Sequence, residues 1–149
     1  MQLIYLDMCC FNRPYDDQNQ SRIRLETEAK LIIQKKVKQR ECGLLWSSTL
    51  DFECQKNPFA EHRLAITRWR YLAERIIFAT PEVVATAHRF ASFGLSNYDA
   101  LHVASAIEGK ADFFITTDDR IHKKISGNRE IQVAFPNNAL AALENWYED

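Results

Sequence analysis

Short apolar, β-prone runs alternate along this chain with longer segments whose apolar residues recur every three or four positions, and few architectures accommodate that rhythm. The runs are Gln2 to Leu6, Leu44 to Ser48, Phe113 to Ile115 and Ile131 to Ala134; Ile76 to Ala79 reads as a fifth short strand or as a frayed helix end. Between them, Leu25 to Val37, Leu50 to Cys54, Ala60 to about Ile76, Pro81 to Gly94, Ser96 to Gly109, Ile121 to Ile125 and Asn138 to Trp146 read as helices. Residues Asn12 to Ser21 form a polar loop. Strands separated by helices pair in parallel and are covered on both faces, so the fold class is α/β.

At 149 residues, 46% of them hydrophobic, the chain suits one globular domain spanning 1–149. Nineteen Lys and Arg against twenty Asp and Glu exclude a uniformly basic nucleic-acid binder, so any such contact must be local. No run approaches the ~18 apolar residues of a membrane helix, and Asp7 interrupts the place of a signal-peptide core. Cys9, Cys10, Cys42 and Cys54 lack Cys-x-x-Cys spacing and read as free thiols, in keeping with a cytoplasmic location and no membrane.

In an open parallel sheet, ligands bind beyond the carboxyl ends of the strands. Asp7 ends the first strand, Asp118 follows the Phe113 to Ile115 strand, and Asp99 opens the preceding helix. Glu53, after the second strand, is the fourth candidate, with Asp51 and Glu61 as nearby alternatives. Carboxylates gathered in one cleft repel one another unless a cation joins them, and hard oxygen ligands select Mg²⁺ or Mn²⁺. Each acid also has a purely structural use. Asp7 can bond loop amides, Ser96-x-x-Asp99 is a capping box, Asp118 or Asp119 can cap a helix, and Glu53 can be a solvated helix residue.

The segments Ile4-Tyr5-Leu6-Asp7, Ser47 to Glu53, Tyr98-Asp99-Ala100-Leu101-His102-Val103-Ala104-Ser105-Ala106 and Phe114-Ile115-Thr116-Thr117-Asp118 together resemble, in order, the motifs of the PIN-domain family. The most specific are Asp-Ala-Leu-His-x-Ala at Asp99 and Thr-Thr-Asp-Asp after an apolar strand. The resemblance implies a three-layer α/β/α fold around a mostly parallel five-stranded sheet. It implies Asp7, Glu53, Asp99 and Asp118 as catalytic, metal-binding acids for Mg²⁺- or Mn²⁺-dependent RNA cleavage. It also implies, for small bacterial members, a VapC-like toxin role with an antitoxin partner, commonly as a homodimer. The Asn12 to Ser21 loop is longer and more polar than in compact toxins of that kind.

With RNA as the substrate, Arg13, Arg22 and Arg24 around that loop, and Thr116 ahead of Asp118, are candidate contacts. The arginines read equally well as solvated charge beside a helix start. Lys35, Lys36, Lys38 and Arg40 also offset a helix dipole. His102 reads as a packed, hydrogen-bonded histidine. Trp69 and Tyr71 among arginines suit an antitoxin or dimer interface.

A haloacid-dehalogenase-like phosphatase needs a second Asp where Cys9 stands, and a receiver domain needs an Asp and Lys after later strands that are absent. The remaining alternative is a catalytically silent PIN-like module that binds RNA or protein without cutting it.

Overall fold

A computed structural model describes residues 1–148. Five strands form one sheet in the order β3-β2-β1-β4-β5, every neighbouring pair parallel. They are β1 Leu3–Leu6, β2 Gly43–Ser47, β3 Arg75–Ile77, β4 Phe113–Ile115 and β5 Gln132–Ala134. Eight α-helices connect and cover them: α1 Met8–Asn12, α2 Ser21–Lys38, α3 Ser48–Gln55, α4 Ala60–Thr67, α5 Pro81–Ala91, α6 Asn97–Glu108, α7 Asp119–Ile125 and α8 Pro136–Leu143. The expected α/β class and five strands are observed, and the sheet is parallel throughout.

Central β1 and β2 read as unbroken apolar runs because helices cover both of their faces. Strand alternation sorts the side chains. Tyr5, in register with Leu45 and Phe114, stacks on Phe114 and points toward α6, where it meets His102. Trp46, one residue further along β2, packs edge-on against Phe11 of α1 on the opposite face. Burying a side chain of this size contributes roughly 1.5–3 kcal/mol, so these central strands anchor everything placed at their ends.

Three elements differ from the sequence expectation. The Asn12 to Ser21 stretch begins as the end of α1 and continues as a 3-10 turn over Arg13–Tyr15. At five residues α1 is too short to display a period, and the capping carboxylate of Asp7 starts it. The helix expected from Ala60 to Ile76 stops at Thr67, tightens into a 3-10 turn over Arg68–Leu72, and gives way to β3. Edge pairing of Ile76 with Trp46 and of Ile77 with Ser47 wins over helical propensity there. The last helix starts at Pro136, whose ring suits a first turn, and ends at Leu143.

All four cysteines are free thiols. No helix among the described residues is long and apolar enough to cross a membrane.

Candidate active site

The strand order reverses direction at β1: β2 and β3 lie to one side, β4 and β5 to the other. The carboxyl ends of β1 and β4 therefore flank the switch point where open α/β sheets bind ligands. Asp7 leaves β1 there, its N–H donating to Ile115 O at 2.9 Å.

The Asp7 side chain is buried and fully engaged. Its Oδ1 accepts from the Met8 N–H at 2.9 Å, capping α1, and its Oδ2 accepts the Thr116 hydroxyl at 2.8 Å. Thr116 is itself fully buried, and its Oγ1 also accepts the Asp118 N–H at 3.2 Å. Its hydroxyl thus orients two of the acids and is not presented to solvent. Cys9 Sγ sits 3.5 Å from Asp7 Oδ2 and 3.3 Å from Thr116 Oγ1.

Glu53 reaches the same place from α3. Its Oε1 lies 2.7 Å from Nε2 of His102, and that nitrogen is 3.9 Å from Asp7 Oδ1. The other ring nitrogen, Nδ1, is 2.6 Å from the Tyr5 hydroxyl, which is 2.6 Å from Ser47 Oγ. Ser47 caps α3 by accepting the Leu50 N–H at 3.1 Å. A continuous buried chain therefore runs from Ser47 through Tyr5 and His102 to Glu53. Burial opposes a charge on His102, but the hydrogen bond to Glu53 and the nearby Asp7, Glu53 and Asp99 charges outweigh it and raise its pKa. Burial pushes the Tyr5 phenol well above its ordinary value, with Asp7 and Glu53 adding to the effect.

Asp51 is occupied elsewhere, accepting from Trp46 Nε1 at 2.7 Å and from Arg70 Nε at 3.1 Å. Glu61 is exposed on α4. Of the three acids weighed near the second strand, Glu53 is the one that meets the Asp7 cluster.

Asp99 stands in the first turn of α6, with Ser96 capping that helix. Partial burial and the charges of Asp7 and Asp118 raise its pKa. Burial is the larger cause, and the repulsion from the two carboxylates adds to it. Asp118 caps α7 and carries its own counter-charge: burial acts to raise its pKa, but the side-chain and backbone hydrogen bonds from Arg120 hold it below the usual value.

The donors are hard carboxylate oxygens at the carboxyl ends of the strands, the type that suits Mg²⁺ or Mn²⁺, and the repulsion that adds to the Asp99 shift is the kind a cation relieves. Among the described residues, no three His, Cys, Asp or Glu side chains are gathered tightly enough to enclose an ion as they stand. The residues therefore match such an ion in donor type, and the side chains would have to draw together to enclose one.

Two of the three candidate arginines have other partners. Arg13 binds Glu26 at 2.7 Å and Asp16 at 3.1 Å. Arg22 binds both oxygens of Asp119 and the Thr117 carbonyl, and Asp119 together with Glu26 raises its pKa further. Arg24 is exposed on α2. In the lysine cluster, Lys36 pairs with Glu144 at 3.0 Å and Lys38 lies over the Trp69 ring.

Sequence reasoning placed His102 as a packed, hydrogen-bonded residue, which it is, and overlooked that its partners are site acids. Two signals were present. His102 follows Asp99 by three residues, on the same helix face, and Tyr5 precedes Asp7 by two, on the same sheet face.

The architecture is PIN-like, the fold expected from the motif resemblance. No family model and no curated protein sequence matches the chain. Among solved structures it is similar to a chain of DNA-bound VapBC from Salmonella typhimurium, with 17% identity and a TM-score of 0.54 over 91% of this chain and 99% of that one. It is similar also to a chain of VapBC2 from Rickettsia felis bound to a DNA fragment from their promoter, with 12% identity and a TM-score of 0.56 over 90% and 98% of the two chains. At these identities the likeness is one of fold.

Proposed function

We propose that this protein is a metal-dependent endoribonuclease that hydrolyses RNA phosphodiester bonds, using Mg²⁺ or Mn²⁺, and that it is the toxin of a type II toxin–antitoxin pair. The observation that carries the nuclease reading is the meeting of Asp7 and Glu53 at His102, at the switch point of the sheet. The partner reading rests on the two VapBC folds.

In this reading Asp7, Glu53, Asp99 and Asp118 hold the cation. When bound, the cation supplies Lewis-acid activation of water and stabilisation of the leaving oxyanion. Thr116 fixes the Asp7 carboxylate through its 2.8 Å hydrogen bond, and His102 fixes Glu53 at Oε1, as outer partners do for carboxylate ligands. Tyr5 and Ser47 hold the imidazole in turn. No protein nucleophile is required.

The test incubates purified protein with a pool of single-stranded and structured RNA, with Mn²⁺ or Mg²⁺ against EDTA, beside Asp7→Asn and Asp99→Asn. Cleavage that needs the metal and is lost in both variants is expected. Cleavage that ignores EDTA or survives both substitutions overturns the mechanism, and RNA binding without cleavage returns the silent-module reading. The toxin reading predicts growth arrest on expression, relieved by the product of a neighbouring gene; harmless expression of an active nuclease removes that reading alone.

A further inference from the structure

Next to the acids lies a pocket of about 440 Å³ between the 3-10 turn after α1 and the turn joining α3 to α4. Its volume falls within the roughly 300–1,000 Å³ of small-ligand sites. One end is formed by Met8, which follows Asp7, and by Glu53, so the pocket borders the acids at Glu53.

The far wall is aromatic. The Tyr15 and His62 rings lie parallel with centroids 3.6 Å apart, and Phe59 leans on His62 at 4.9 Å. Phe59 is 61% exposed and Tyr15 46%. Mutual stacking holds these rings in place without drawing them into the core, which leaves flat apolar faces open to a concave space.

Asn12 and Asn57 add a polar edge. Asn57 Oδ1 accepts the Phe59 N–H at 2.9 Å, and its Nδ2 meets Asn12 Oδ1 at 3.5 Å, so both amides are oriented and retain N–H groups for acceptors. Lys56 stands at the rim, over the rings of Phe52 and Tyr98, with Nζ 3.1 Å from the Tyr98 hydroxyl. It thus places a cation between the pocket and the start of α6, where Asp99 lies. The acids at the pocket are matched locally, Asp16 by Arg13 and Glu53 by His102.

We propose that this pocket receives one unstacked nucleobase of a single-stranded RNA beside the scissile phosphate, a reading that rests on the ribonuclease assignment. Tyr15 and Phe59 supply the stacking faces, Asn12 and Asn57 meet the base edge, and Lys56 meets a backbone phosphate. Base stacking on aromatic side chains combined with a nearby cation is the general means of gripping single strands. A duplex cannot deliver a base to such a pocket without unpairing it, so the site selects single-stranded RNA. It also gives the polar loop after Asn12 a role, because that loop carries Tyr15.

The test measures anisotropy of fluorescein-labelled hexanucleotides of A, C and U and of an abasic hexamer, in EDTA, for the wild type, Phe59→Ala, Tyr15→Leu and Lys56→Gln. The wild type is expected to bind at least one base-carrying strand roughly 10-fold tighter than the abasic one. Phe59→Ala and Tyr15→Leu should each erase most of that preference while leaving abasic binding unchanged, a result that misfolding cannot imitate. Lys56→Gln should weaken all strands alike and reduce the salt slope by about 1. A preference untouched by Phe59→Ala and Tyr15→Leu, or no preference in the wild type, overturns the subsite. Cleavage of an RNA pool with Mn²⁺, run in parallel, separates the two readings. An unchanged cut pattern in the variants removes the subsite and keeps the nuclease; base preference without any cleavage keeps the pocket and removes the nuclease.

Discussion

The two ends of the sheet use the same residue types for opposite purposes. At the amino ends of the strands, Asp112 accepts the Leu3 N–H at 2.7 Å, the Asp112 N–H returns to Leu3 O at 2.8 Å, and the Arg75 guanidinium donates to Gly109 O. Side-chain charge there is spent on the backbone. At the carboxyl ends, Asp7 and Glu53 approach the same nitrogen of His102, and burial together with the Asp7 and Asp118 charges raises the Asp99 pKa. One end spends its polar side chains on closing the fold, and the other gathers carboxylates about one histidine.

This contrast breaks most visibly at Asp7. Asp7→Asn should lower RNA cleavage by more than roughly 100-fold, beyond the 10–100-fold typical of residues behind a metal ligand. In metal-free buffer its thermal midpoint should equal or exceed that of the wild type, since Asn still caps α1 and a repelling charge is gone. A fall in midpoint would show that Asp7 closes the fold as Asp112 does.

Lys30 tests the layer beneath the carboxyl ends. It is buried against Phe11 of α1, and burial lowers its pKa from 10.5 to about 8. Between those values the unfolded chain holds more protons than the folded one, so this group's contribution to stability rises with pH, by up to about 3 kcal/mol, and is least favourable below pH 8. Lys30→Met should therefore be more stable than the wild type at neutral pH, with the advantage shrinking toward pH 10.5. Denaturant titrations of both proteins across that range give the difference directly and cancel the opposing pull of Cys42, whose thiol burial pushes up to about 11.

At the amino ends the expected changes are in stability alone. A Cβ at Gly109 would stand 2.7 Å from Leu45 Cδ1 and 3.0 Å from the Ser105 carbonyl oxygen, and the backbone atom cannot swing aside. Gly109→Ala should cost about 1–3 kcal/mol by denaturant unfolding while leaving cleavage per folded molecule unchanged. Asp112→Ala should cost about 1 kcal/mol or less, the loss of one partly solvated hydrogen bond, again without touching cleavage.

Much of this was readable from the residues. Asp7 closing an apolar run, the capping pattern at Ser96 and the Thr-Thr-Asp-Asp segment located three of the acids on their elements, because each depends on local chemistry. The helix α1 and strand β3 were harder. The first rests on a single cap and the second on pairing with β2, and neither leaves a periodic trace. The roles of Thr116 and Arg22 were hidden for a related reason: their partners, Asp7 and Asp119, lie 109 and 97 residues away in the chain. Local pattern places a residue on its element, and only the assembled sheet decides what it touches.

Strand β1 is the first strand of the chain and the middle one of the sheet, and it pairs with β4 between Ile4 and Phe113. On a ribosome adding ~5–20 residues per second, the passage from Leu44 of β2 to Phe113 of β4 takes roughly 3–14 s. Throughout that interval one edge of β1 has no strand to meet, and Asp7 lacks the hydroxyl of Thr116 that steadies it. Any hydrolytic capacity of this molecule thus waits on the synthesis of β4 and of Thr116 behind it.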